Sequence, residues 1–133
     1  MDPNLQSPGK LRWAIMGTSF ISSVMVDAIK KSDNGIAYCV AARTLANLDN
    51  FATKHDISVK YSDYDEMLRD PLIDIVYIGL PTYVHAEWVK KCAIAGKHIL
   101  NEKSFAINTA ETVDALNVVK QNPNIFCMEG KEC

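Results

Sequence analysis

The sequence predicts an α/β domain built on a doubly wound parallel sheet, and three observations carry that expectation. Short apolar runs alternate strictly with apolar stripes of helical period. Glycines and capping residues fall between them, where elements should start and stop. The stretch Gly96-Lys97-His98-Ile99-Leu100-Asn101-Glu102-Lys103 ends a helix, runs through a short apolar strand of the kind covered on both faces, and delivers a lysine at its carboxyl end. In an open α/β sheet that edge is where ligands bind.

Taken in order, Arg12 to Met16 reads as a buried strand, and Ile21, Val24, Met25, Ala28 and Ile29 follow at helical spacing. Gly35 resets the chain before a second strand over Ile36 to Ala42. Thr44 caps a helix with an inner stripe of Leu45, Leu48, Phe51 and Ala52. A short strand at Val59 to Tyr61 leads into Asp63-Tyr64-Asp65-Glu66, a capping box whose helix must end before Pro71. The heaviest run, Ile73 to Leu80, is the fourth strand. Pro81-Thr82 opens a helix carrying His85, Trp88, Val89 and Cys92 on one face, and Gly96 closes it. After the strand at His98 to Leu100, Asn108 with Glu111 caps a last helix whose buried side is Val113, Leu116 and Val119. Ile125 to Met128 is the final strand. With right-handed crossovers the predicted strand order is 3-2-1-4-5-6.

The 133 residues, 48% hydrophobic and 23% charged, suit one domain over residues 11–133 behind a polar tail, residues 1–10. A formal net charge of −2, with Lys30-Lys31 and Lys90-Lys91 as isolated pairs, leaves no electrostatic footprint for nucleic acid. Cys39, Cys92, Cys127 and Cys133 lack the spacing of a zinc site, and the first three lie in apolar runs, as reduced thiols do. No signal-peptide core and no run of bilayer length occurs, so the expectation is a cytoplasmic protein without a membrane partner.

Three strand ends carry the chemistry. The loop Met16-Gly17-Thr18-Ser19-Phe20-Ile21-Ser22 lies between a strand and a helix, where Gly-x-Gly-x-x-Gly holds the pyrophosphate of a dinucleotide on helix-start amides. Gly17 alone matches; Ser19 and Ser22 replace the other two glycines, and a tight turn with no ligand is the competing reading. About 20 residues on, where a carboxylate would hold the ribose of NAD, stand Ala42, Arg43 and Thr44. A guanidinium, a hydroxyl and helix-start amides suit a 2′-phosphate, although an exposed strand-end arginine explains Arg43 equally. Lys103 is a candidate for proton transfer or for polarising a substrate oxygen, against a solvated loop lysine. His85 is open between a nicotinamide contact and a buried first-turn histidine.

Read together, Gly-Thr-Ser-Phe-Ile-Ser at 17–22, Ala-Ala-Arg at 41–43, Asp74-Ile75-Val76-Tyr77-Ile78-Gly79-Leu80-Pro81, His85 and Gly-Lys-His-Ile-Leu-Asn-Glu-Lys at 96–103 resemble the Gfo/Idh/MocA oxidoreductases, especially dihydrodiol-dehydrogenase-like members. The resemblance implies a Rossmann domain, followed in the family by a substrate domain. The implied chemistry is hydride transfer between a nicotinamide cofactor and a sugar, polyol or related alcohol. It assigns Gly17, Thr18, Ser19, Phe20 and Ile21 to the pyrophosphate loop and Arg43 and Thr44 to the adenosine end, with NADP preferred and NAD accepted. Leu80, Pro81, Thr82 and His85 would line the nicotinamide side. Glu102 and Lys103 match a Glu-Lys-Pro motif whose lysine lies near the reacting carbon, although Ser104 stands in place of the proline. The family's catalytic histidine and substrate contacts belong to the second domain, so a small-molecule substrate is expected only where that domain is supplied. The rival expectation is a non-catalytic nucleotide-binding or interaction module that keeps the Rossmann half. A homo-oligomer is compatible with either.

Overall fold

The computed structural model describes residues 9–130. Six parallel strands form one sheet: β1 (Leu11–Met16), β2 (Gly35–Ala41), β3 (Val59–Tyr61), β4 (Ile75–Ile78), β5 (His98–Asn101) and β6 (Cys127–Glu129). Their order, β3-β2-β1-β4-β5-β6, is the predicted one. The helices are α1 (Phe20–Lys31), α2 (Leu45–His55), α3 (Tyr64–Leu68), α4 (His85–Ile94) and α5 (Thr109–Lys120), with a 3-10 turn at Thr82–Val84 ahead of α4. The expected tail is only partly described, since residues 1–8 lie outside the described residues, as does Cys133.

Alternation along β1, β2 and β4 sends side chains to two core clusters, one on each face. Ile15, Val40 and Tyr77 pack with Val26 and Ile29 of α1 and Leu48, Phe51 and Ala52 of α2. Ala14, Met16, Val76, Ile78 and Ile99 pack on the other face with Met67 and Leu68 of α3, Val89, Cys92 and Ala93 of α4 and Ala115 of α5. A bulge interrupts β2, where Trp13 pairs with Ala37 but Ala14 with Cys39. Tyr38 and Cys39 therefore join the same cluster. The Tyr38 hydroxyl donates to the Asp70 carboxylate at 2.8 Å, and Tyr61 donates to the same oxygen at 2.6 Å.

Helix starts follow the caps read from the sequence. Asp63 accepts from the Glu66 amide and Asn108 from the Glu111 amide, at 3.0 and 2.8 Å. Gly96 closes α4 at φ +77°. Thr44 occupies the cap position of α2, but its side chain makes no capping hydrogen bond.

Three inner stripes differ from expectation. In α1 the buried residues are Ser22, Val26 and Ile29, whereas Ile21 and Val24 are exposed. That helix has two apolar flanks, and the sheet takes the one with the small Ser22 at its start. Leu45, in the first turn of α2, is exposed because it precedes the point where the helix reaches the sheet. In α5 only Ala115 is fully buried, while Val113 and Leu116 are exposed. The helix packs against α4, and a small residue allows that approach.

Candidate functional site

The carboxyl ends of the strands are stitched together by backbone hydrogen bonds. The first amide beyond each strand donates to the neighbouring strand's last carbonyl: Gly17 to Ala41 at 2.9 Å, Gly79 to Met16 at 2.9 Å, Glu102 to Ile78 at 3.1 Å and Gly130 to Asn101 at 2.7 Å. Gly17, Pro81 and Lys103 thus follow adjacent strands at one edge of the sheet.

A cleft of about 400 Å³ opens there, lined by Gly17, Thr18, Ser19, Ala42, Arg43, Thr44, Asn47, Tyr64, Gly79, Leu80, Pro81, Tyr83, Val84, Glu87 and Trp88. Gly17 holds φ +99°, and a Cβ there would stand 2.8 Å from the Gly79 carbonyl oxygen. Only glycine leaves this backbone open to a ligand. Ser19 is the N-cap of α1: its Oγ accepts from the Ser22 amide at 3.2 Å, which leaves the Phe20 and Ile21 amides at the positive end of the helix dipole. The serine that replaces the second glycine therefore completes the helix start.

Ser22 has a compensating partner too. The third glycine of the fingerprint lets helix pack on strand. Here the missing side chain belongs to Gly79, where an added Cβ would lie 2.5 Å from Ser22 Oγ and 2.7 Å from Tyr77 Cε2. The bare position at this contact is therefore Gly79, just beyond β4, and not a residue of α1.

At the adenosine end, Arg43 and Thr44 are exposed beside Tyr64. Burial raises the Tyr64 pKa, and the positive charge of Arg43 opposes that rise. The Tyr64 ring meets Trp88 edge-on, with centroids 5.2 Å apart. Neither aromatic figured in the sequence-based site, and Trp88 appeared there only as part of an inner helical face. The available signal was position, because Tyr64 opens the helix that follows the carboxyl end of β3.

Phe20 is exposed and lines an adjoining groove of about 370 Å³ between α1 and α2, together with Ser23 and Lys54; Ile21 is exposed beside it and lines neither space. Thr82 opens the 3-10 turn but does not line the cleft. Glu102 accepts from the buried Tyr77 hydroxyl at 2.5 Å and from the Lys103 amide at 3.3 Å. Burial first, then that hydrogen bond and the carboxylate charge, push the Tyr77 pKa far up, so the phenol remains a donor. Lys103 itself is exposed, and neither it nor Glu102 lines the cleft.

His85 corrects the expectation of a direct nicotinamide contact. It is wholly buried, with each ring nitrogen held against a backbone carbonyl, and it does not line the cleft. Of the two readings left open by the sequence, the buried histidine is the one observed.

A glycine cradle, unsatisfied helix-start amides and a basic strand end around one cleft define the class: a dinucleotide-binding Rossmann domain. Residues 11–130 match the family described as an oxidoreductase family with an NAD-binding Rossmann fold, GFO_IDH_MocA, and the chain belongs to that family. It is 34% identical over 122 residues to human trans-1,2-dihydrobenzene-1,2-diol dehydrogenase, covering 90% of this chain and 36% of the relative. The Xenopus tropicalis enzyme of that name is 36% identical over 121 residues, covering 89% and 36%. In fold, the chain superposes on scyllo-inositol dehydrogenase from Lactobacillus casei with bound NAD(H) and scyllo-inositol, with a TM-score of 0.85 at 21% identity, covering 91% of this chain and 36% of that one. A 3-ketoreductase from Actinomadura kijaniata in complex with NADP and TDP-benzene gives a TM-score of 0.85 at 23% identity, covering 91% and 37%. The chain therefore spans a little over a third of the length of these relatives. No helix among the described residues is long and apolar enough to cross a membrane.

Proposed function

We propose that this chain is the NADP-preferring cofactor domain of an oxidoreductase that transfers hydride between a nicotinamide and a sugar, polyol or related alcohol. One observation carries the preference: the end of β2 presents Arg43 and Thr44 to the cleft and carries no carboxylate of its own to repel a 2′-phosphate, while the cleft's Glu87, on α4, pairs with Lys91 at 3.7 Å. Gly17 and the start of α1 would hold the pyrophosphate, and Leu80 and Pro81 would bound the nicotinamide. When bound, the cofactor supplies the hydride chemistry; this chain's residues orient it and exclude water. Lys103 would exchange a proton with the alcohol oxygen, as its position past β5 and its family motif suggest. Relatives named for dihydrodiol and inositol dehydrogenation support the alcohol class. The buried thiols Cys39 and Cys92, unpaired in the structure, support a reducing compartment.

Calorimetric titration with NADP and NAD tests this reading. NADP should bind more tightly, and Arg43→Ala should remove most of the difference, on the order of 1.5 to 3 kcal/mol for charge-assisted hydrogen bonds, while NAD affinity stays nearly unchanged. Equal affinities in the unmodified chain would refute the preference.

A further inference from the structure

The segment that follows Lys103 is gripped from below by two buried side chains at consecutive carbonyls. His85 Nδ1 lies 2.7 Å from the Ser104 carbonyl oxygen, and Asn101 Nδ2 donates to the Phe105 carbonyl at 2.9 Å. Both side chains have no exposed surface. The other His85 nitrogen, Nε2, lies 2.5 Å from the carbonyl oxygen of Leu80, which lines the cleft. Carbonyl oxygens only accept, so the ring's contacts with the two loops draw on its N–H donors. Phe105 and Ala106 pack onto the core beneath. The loop bearing Lys103 and the loop bearing Leu80 are thus tied through one ring, and the lysine loop is pinned a second time by Asn101.

We propose that His85 and Asn101 are positioning residues for Lys103, fixing it against the nicotinamide side of the cleft. The proposal rests on the cofactor-domain reading for what Lys103 faces, but the tether itself stands on the hydrogen bonds alone. Three features argue for a positioning role. A strand-end loop seven residues long has little reason to spend two fully buried polar side chains on its backbone unless its course matters, because an unpaired buried donor is costly and an apolar residue would fill the same space. Asn101 Oδ1 is buried with no hydrogen-bond partner among the described residues, so the Phe105 contact is made at the cost of leaving half of the amide unsatisfied. Ser104, unlike a proline, does not restrict the backbone by its own ring, so these two donors add a restraint that the residue type does not supply.

Amide hydrogen exchange and NADPH fluorescence on the full chain test it. His85→Gln places its amide where Nε2 lies and gives up the Ser104 contact; His85→Asn places it where Nδ1 lies and retains that contact. Asn101→Leu keeps the branching of the side chain in a somewhat larger group, removes the donor and also removes the unsatisfied acceptor. Exchange over residues 103–106 should rise about tenfold in His85→Gln and Asn101→Leu, and return toward the unmodified rate in His85→Asn, with β1 and α1 unchanged. Affinity for adenosine 2′,5′-bisphosphate, which lacks a nicotinamide, should stay within about twofold, while the fluorescence enhancement of bound NADPH falls. Unchanged exchange at 103–106, or exchange and bisphosphate affinity deteriorating together throughout the domain, would overturn the proposal. If the unmodified chain binds neither dinucleotide, the cofactor-domain reading fails instead, and the exchange data alone still decide whether the tether holds the loop.

Discussion

The two halves of the sheet present residues to the same cleft by different means. In the β1–β3 half, Gly17, Ser19, Arg43 and Thr44 sit where a strand hands over to a helix, with Gly17 held to the Ala41 carbonyl and Ser19 held by its cap on α1. In the β4–β6 half, the loops after β4 and β5 are fixed by side chains from elsewhere in the chain: His85 reaches Leu80 and Ser104, Asn101 reaches Phe105, and Tyr77 reaches Glu102. The halves also differ in cover. On the face where α1 and α2 lie over β1 and β2, Ile15 and Val40 are wholly buried, yet on the same face Met128, paired in register with Leu100, is exposed, as is Phe126 beside it. The first half closes its sheet face under α1 and α2, although Phe20 and Leu45 on those helices stay exposed, whereas the second ties loop to loop through side chains and leaves the sheet face at Met128 and Phe126 in water.

If that contrast is sound, the largest loss of stability should come from the covered side. Phe51 is 5% exposed, and its ring packs against His55 with centroids 4.5 Å apart. Phe51→Ala should cost about 3 to 5 kcal/mol in denaturant unfolding, from lost transfer energy and the cavity left behind. A cost under about 1 kcal/mol would mean that the α2 face contributes far less than its burial implies.

A smaller effect should come from the link between the halves. Asp70 precedes β4 and accepts from Tyr61, the Leu72 amide and Tyr38, while Lys97 Nζ donates to its backbone carbonyl. Burial alone would raise its pKa, but those hydrogen bonds and the Lys97 charge outweigh burial and hold the carboxyl below its ordinary value. A carboxylate with a depressed folded pKa adds stability that is present above its unfolded value, near 4, and lost as pH falls through the folded value. Asp70→Asn should therefore cost about 1.5 to 3 kcal/mol at neutral pH and flatten the decline in stability below pH 4. An acid limb identical to that of the unmodified chain would show that other carboxylates set it.

The same contrast explains what the sequence could reveal. Strand order, the caps at Asp63 and Asn108 and the Gly96 stop follow from local chemistry, and all were legible. So was the placement of Gly17, Arg43 and Pro81 at one cleft, because each stands at a strand end whose order the alternation determines. Side-chain reach was not legible. His85 could be placed on an inner helical face, but nothing local says that its nitrogens meet residues 5 and 19 positions away. The exchange of Ser22 against Gly79 was hidden for the same reason, since the compensation spans α1 and β4. The misread stripes of α1 and α5 arise where a helix has apolar residues on two flanks and tertiary packing selects one.

The smallest effect should fall on the open face of the second half. Phe126 is 75% exposed and touches the ring of His98 at a centroid distance of 5.5 Å, while its amide donates to His98 Nδ1. That backbone hydrogen bond does not need the phenyl group. Phe126→Ala should thus change unfolding free energy by less than about 0.5 kcal/mol, against several for Phe51, although both are phenylalanines. The pair separates burial from residue type, and it should be measured at two protein concentrations. A cost above about 2 kcal/mol that shrinks on dilution would mean that a second copy covers this face in solution, since stability gained by association follows mass action. A large cost independent of concentration would instead place Phe126 in a core of the chain itself and erase the difference between the halves.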